Sequence, residues 1–261
     1  MVYDWMNYRI SILGCGWLGR PLAADLARGG FRVFGSNRTA QPLLRQMGVT
    51  PFALDIGIED QDYQGFLSAD TLIIAIPSKV VGDFVRLIHK IEQSTIRQVL
   101  LISTTSVYPC LNDTVTEETP PISSQRVDIE QLFLTHPKIV ATVIRCGGLF
   151  GYDRQPGNFF KPGRIIDHPE GYVNMIHRDD CIRVIREILR QNRWGHVLNA
   201  VADTHPTRRK FYTKTAAAIG RSDLQFNESS EKPFKIVSNE RLKKLLDFEF
   251  KVGDLMAYEP E

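Results

Sequence analysis

The chain has 261 residues, 43% of them hydrophobic by type, enough to bury a full core as one large domain or as a nucleotide domain with a smaller lobe. Thirty-two Lys+Arg stand against 30 Asp+Glu, and a formal charge of +2 leaves no electrostatic footprint for nucleic acid or for an anionic membrane surface. Four cysteines, at 15, 110, 146 and 181, lack Cys-x-x-Cys pairing, and six histidines lack ligand spacing, so neither a disulfide framework nor a metal site is expected. No apolar run reaches the length of a membrane span, and residues 1–8 have neither a basic leader nor an apolar signal core, so the expected location is the reducing cytoplasm.

The first element is an apolar strand, Arg9 to Leu13, that runs into Gly14-Cys15-Gly16-Trp17-Leu18-Gly19 and then a helical pattern to Arg28. Gly-x-Gly-x-x-Gly between a strand and a helix is the context that gives this motif meaning. Gly14 permits the sharp turn, Gly16 lets a pyrophosphate approach the backbone, and Gly19 lets the helix pack closely on the strand. Trp17 and Leu18 complete the turn, whose helix aims free N–H groups and a positive dipole end at the phosphates. The glycines alone also fit a tight turn in some other α/β protein.

Phe31 to Gly35 reads as the second strand, ending in Ser36-Asn37-Arg38-Thr39 with no carboxylate. An NAD site places an acid there for the ribose hydroxyls, whereas a cation with small polar donors suits the 2'-phosphate of NADP. Ser36, Asn37 and Arg38 therefore point to NADP over NAD; the plain alternative is a solvated loop ending in a surface arginine. A short helix near 41–47, a strand near 49–54 and the run Thr71 to Ile76, closed by Pro77, follow. That run suits a parallel strand covered on both faces. A helix over 80–94, a strand over 98–103, a helical segment over 122–134 and a strand over 139–146 continue the alternation. Beyond Gly147, Gly and Pro become frequent; helices over 180–191 and 207–219 flank a short strand at 197–199. The expected fold class is α/β, a doubly wound parallel sheet, with a dinucleotide-binding domain over 1–150. Residues 151–261 are expected to hold the remaining sheet elements and a small substrate lobe.

The segment Leu101-Ile102-Ser103-Thr104-Thr105-Ser106-Val107-Tyr108 resembles the extended short-chain dehydrogenase/reductases, the family of nucleotide-sugar epimerases and dehydratases. Thr142 to Gly151, Asn174 to Asp180 (with Ile176-His177-Arg178-Asp179-Asp180), and Leu198 to Asp203 with Pro206 match later family segments in order. The resemblance spans about residues 9 to 250. It implies that Asp55 accepts from the adenine amino group and that Ala75, Ile76 and Pro77 line the ribose and pyrophosphate channel. It also implies that Thr104 takes the catalytic Ser/Thr position beside the reacting hydroxyl. The partner implied is a small-molecule substrate, a nucleotide sugar or another secondary alcohol, and dimerisation through the helices flanking the fourth and fifth strands. Tyr108 and Arg154 are the candidate substrate contacts, Arg154 for an anionic group. Read without the resemblance, Asp55 caps a turn, Thr104 satisfies backbone at a strand end, His177 is a packing residue and Asp180 caps a helix.

Two departures set this chain apart. Leu13 stands where extended members carry the first glycine of Gly-x-x-Gly-x-x-Gly. More serious, aligning the family's acidic residue with Glu130 puts Ile122 at the position of the proton-transferring tyrosine and Arg126 at that of its lysine. Isoleucine has no exchangeable proton and guanidinium stays charged, so neither substitutes as acid or base. Tyr108, Tyr152, Tyr172, Lys161 and Asp153 are candidates for a relocated acid. The functional expectations are an NAD(P)-binding epimerase/dehydratase-like protein acting by hydride transfer, a non-catalytic NADP(H) sensor, or a Rossmann protein that binds no dinucleotide.

Overall fold

A computed structural model describes residues 8–39 and 41–259. The expectation that the chain start has no leader concerns residues 1–7, which lie outside that range. In chain order the elements are β1 (Arg9–Leu13), α1 (Gly19–Arg28), β2 (Arg32–Asn37), α2 (Leu43–Gln46), β3 (Val49–Ala53), β4 (Thr71–Ile74), α3 (Val81–Glu92) and β5 (Gln98–Thr104). Then come β6 (Asp113–Val115), α4 (Gln125–Leu134), β7 (Val140–Cys146), β8 (Gly148–Phe150), β9 (Ile165–Ile166), β10 (Met175–His177) and α5 (Arg178–Gln191). The last are β11 (Val197–Ala200), α6 (Arg208–Ala217), β12 (Gln225–Phe226), β13 (Lys235–Val237) and α7 (Glu240–Leu246).

The seven-stranded sheet has the order β11-β7-β5-β4-β1-β2-β3. β1 pairs in parallel with β2 and with β4, putting Leu13 level with Ser36 and with Ile74. The order reverses at β1, between β2 and β4, which is where an open parallel sheet leaves a crevice at its carboxyl ends. The expected doubly wound sheet is the one observed.

The chain divides into two compact units. One comprises the described residues up to Ser103, with Ser123–Ile144 and Asn192–Val197; the other comprises Thr104–Ile122, Arg145–Gln191 and the described residues from Leu198 onward. The two units interleave along the sequence: β7 lies in the first as far as Ile144, and all of β11 but Val197 lies in the second.

In the first unit β4 is buried at every position, as its unbroken Thr-Leu-Ile-Ile run predicts. α1 buries Leu22, Ala23 and Leu26, and α3 buries Phe84, Leu87, Ile88 and Ile91, each set spaced for one helical face. Phe84 meets Phe133 of α4 edge to face, centroids 6.3 Å apart. Ser124 caps α4 by accepting from Val127 N at 3.4 Å, so the helix starts at Gln125 and not at Ile122 as expected.

The second unit has its own core of Phe150, Ile166, Val173, Met175, Phe211 and neighbours. Thr207 caps α6. Asp180 lies inside α5 instead of capping it: its buried carboxylate pairs with Arg183 at 2.7 Å and accepts from the N–H groups of Lys251 and Val252. Among the described residues no helix is long and apolar enough to cross a membrane, and no group of three or more His, Cys, Asp or Glu is placed to hold a metal ion.

Candidate active site

In the first unit a cavity of ≈ 490 Å³ opens at the carboxyl ends of β1, β2 and β4. Gly14, Gly16, Ser36, Asn37, Arg38, Asp55, Ala75, Ile76 and Pro77 all line it. Nine predicted residues from four separate stretches are thus brought to one crevice. A larger concavity of ≈ 710 Å³, lined by residues of 60–68 and 90–95, shares none of these lining residues.

The turn works as its glycines predict. Gly14 has φ +101°, and a Cβ there would lie 2.7 Å from the Ala75 carbonyl oxygen. The Ser36 carbonyl holds the turn by accepting from Gly14 N at 3.2 Å and Cys15 N at 2.7 Å. A Cβ on Gly16 meets nothing within 4 Å. Three predicted contacts are not in the cavity wall: Leu18 and Gly19 are buried in the start of α1, and Trp17 is half-buried beside it. They shape the turn.

At the β2 end, Arg38 is exposed. Ser36 is fully buried and its hydroxyl donates inward to the Ile12 carbonyl at 3.5 Å, which corrects its expected place as a phosphate donor. Asn37 donates Nδ2 to the Cys15 carbonyl at 3.1 Å, while its buried Oδ1 has no partner. Asp55 does what its plain reading predicts, accepting from Gly57 N at 3.0 Å in a tight turn, and it lines the cavity as well. Ser78 and Asp83 also line it and were missed. Nothing in the spacing of the first turn of α3 marks Asp83 as different from any other acid at a helix start.

Arg126, in the first turn of α4, donates Nη2 to the Pro77 carbonyl at 3.4 Å. Its Nε is buried without a partner, and burial pulls its pKa below the ordinary guanidinium value, opposed by the Glu130 carboxylate. Glu130 is fully buried and accepts from the Ser103 hydroxyl. Ile122 precedes the helix, is 49% exposed and donates its N–H to the Val107 carbonyl at 2.8 Å. The position aligned with the family's tyrosine is therefore neither ionisable nor helical.

In the second unit Thr104 ends β5 and its hydroxyl accepts from Ser106 N at 3.2 Å, capping a single 3-10 turn. Tyr108 is 1% exposed; its hydroxyl donates to Asn199 Oδ1 and accepts from Arg145 Nη1, both at 2.8 Å. Burial pushes its pKa up, opposed by Arg145. This closed network corrects both expectations for Tyr108, as substrate contact and as relocated acid, because its hydroxyl is used and sealed. It also takes Arg145 as a structural group. Tyr152 donates to Asp179 at 2.7 Å and lies under the Arg178 guanidinium, 3.8 Å from the ring centre. His177 is buried against Phe150, Tyr152 and Tyr258, the packing role read for it. Arg154 is exposed, its backbone paired with Gly151.

Sheet order and glycine turn together define an α/β Rossmann-like fold. MoeE5 in complex with UDP-glucose and NAD superposes with a TM-score of 0.80 at 16% identity, covering 95% of each chain. UDP-glucuronic acid 4-epimerase from Bacillus cereus superposes at 0.77 and 19% identity, again covering 95% of each. A conserved protein of unknown function from Silicibacter pomeroyi matches at 0.77 with 25% identity over 96% of each. No protein-family model matches the chain. The chain belongs to the family of Protein YeeZ of Escherichia coli K12, with 31% identity over 266 aligned positions, 94% of this chain and 97% of that one.

Proposed function

We propose that the protein binds NADP(H) in the cavity of its first unit and acts as an epimerase/dehydratase-like protein on a nucleotide sugar or another secondary alcohol. The observation that carries this reading is the open space over Gly16. No atom beyond its chain neighbours comes within 4 Å of a Cβ there, so packing does not require the glycine, and this reading assigns the open space to the pyrophosphate. The residues fit the cofactor: the first-turn N–H groups of α1 suit the pyrophosphate, the exposed Arg38 suits the 2'-phosphate, and Asn37 Oδ1 is an acceptor still to be used. Asp55 is assigned to the adenine amino group, with Ala75, Ile76 and Pro77 along the ribose.

When bound, NADP(H) supplies the hydride donor or acceptor. The chain supplies orientation. Thr104 is assigned to the substrate hydroxyl and Arg154 to an anionic substrate group. The UDP-sugar and NAD bound by MoeE5 support the substrate class and a nicotinamide cofactor. The cytoplasm is the proposed location, and a homodimer through α3 and α4 the proposed assembly.

A second reading, a non-catalytic NADP(H) sensor, is favoured by Ile122 and Arg126, which leave no acid–base pair where the fold's enzymes keep one. The experiment that tests binding is a thermal-shift titration with NADPH, NADP, NADH and NAD. Stabilisation by the phosphorylated pair supports the site, and no shift with any of the four overturns it. Turnover of NADPH with a sugar nucleotide, abolished by Thr104→Val, excludes the sensor.

A further inference from the structure

The cavity has a direction set by the strand order. Arg38 follows β2, Gly14 and Gly16 follow β1, and Ala75 to Pro77 follow β4, whose other neighbour is β5. A dinucleotide with its 2'-phosphate at Arg38 and its pyrophosphate over Gly16 therefore carries its nicotinamide half toward β4 and β5. Arg126 stands at that end. Its Nη2 is on the carbonyl of Pro77, a lining residue, and its Nε is buried with no partner. The counter-charge, Glu130, lies about one helical turn further on, fully buried and engaged by Ser103 of β5. The guanidinium is thus the member of the pair that reaches the cavity wall.

We propose that Arg126 makes the site selective for reduced over oxidised cofactor, NADPH over NADP. The inference rests on the reading that this cavity holds NADP(H). The oxidised nicotinamide ring is a cation and the reduced ring is neutral, so a fixed positive charge beside it penalises only the oxidised form. The guanidinium keeps its proton, so the repulsion is a standing one. Two unit charges about 12 Å apart at an effective dielectric near 20 change affinity by about tenfold.

The test is calorimetric titration of NADPH and of NADP into the wild type, Arg126→Gln and Arg126→Lys at one ionic strength. The expected result is a preference for NADPH that shrinks about tenfold in Arg126→Gln, chiefly through tighter NADP, and persists in Arg126→Lys. Arg126→Met, which keeps the apolar stem, repeats the comparison if the glutamine variant does not fold. Binding of both forms with an unchanged ratio in the neutral variants overturns this inference and leaves the NADP(H) reading standing. Binding of neither form by the wild type overturns both.

Discussion

A Cβ on Gly19 would overlap the carbonyl oxygen of Gly14, the residue that turns the chain out of β1. The overlap is with backbone at the base of the turn, so no side chain can swing away to relieve it. Gly16, three residues earlier, faces open space. The three glycines of one motif thus answer to different demands: Gly14 and Gly19 to the fold, and Gly16, in the function proposed above, to a ligand.

Substitutions separate these demands. Gly19→Ala is expected to cost about 1–3 kcal/mol, as overpacking against an immovable neighbour does. Gly16→Val is expected to leave the melting temperature of the free protein within a few degrees of wild type while abolishing the stabilisation by NADPH. Melting curves of both variants with and without nucleotide check the pair. A Gly16→Val protein that still binds NADPH would falsify the pose.

Arg38 is the exposed cation at the end of β2, and no carboxylate accompanies it in Ser36-Asn37-Arg38-Thr39. A charge-assisted hydrogen bond to phosphate is worth about 1.5–3 kcal/mol. Arg38→Ala is therefore expected to weaken NADPH by roughly 10- to 150-fold and leave NADH unchanged. Direct titration of both nucleotides reads the difference, and equal weakening of the two would remove the 2'-phosphate from this position.

Much of this was legible in the sequence because it depended on local pattern. The β1–α1 turn, the buried run of β4 and the faces of α1 and α3 each follow from spacing within a dozen residues. What was not legible depended on where side chains turn after folding. Ser36 and Arg38 are two residues apart on one strand end, yet one hydroxyl points into the sheet and the other side chain is exposed. Tyr108 looked available until β7 and β11 brought Arg145 and Asn199 to its hydroxyl from 37 and 91 residues away. The start of α4 was placed three residues early because Ile122 was reached by counting back from Glu130 to the family's tyrosine, while the cap that decides the boundary is Ser124.

The Tyr108 network makes a stability prediction. Removing its hydroxyl takes one acceptor from Arg145 Nη1 and the Tyr108 donor from Asn199 Oδ1 inside the second unit. Tyr108→Phe is expected to destabilise the protein by about 1–3 kcal/mol and to leave NADPH affinity unchanged. Urea denaturation with a parallel nucleotide titration tests both halves. A change in affinity without loss of stability would return Tyr108 to the ligand site.

Cys15, inside the glycine turn, sets an alkaline limit. Burial pushes its thiol pKa up to about 12 from an ordinary 9.0, opposed in part by a backbone hydrogen bond from the Ser36 region. The folded protein therefore keeps a proton that the unfolded chain releases above pH 9, and the sign of the linkage follows. Cys15's contribution is present in full below pH 9 and is lost as pH rises through the interval from 9 toward 12. The slope is about 1.4 kcal/mol per pH unit while only the unfolded thiol is ionised. Burial raises Tyr63 and Tyr108 in the same direction, so the whole protein should lose stability steeply in alkali. Urea midpoints at pH 8, 9.5 and 11 for wild type and Cys15→Ala measure it. The wild-type midpoint should fall across the series and the variant's should fall less; parallel lines would mean that the thiol is ionised, or hydrated, inside the turn.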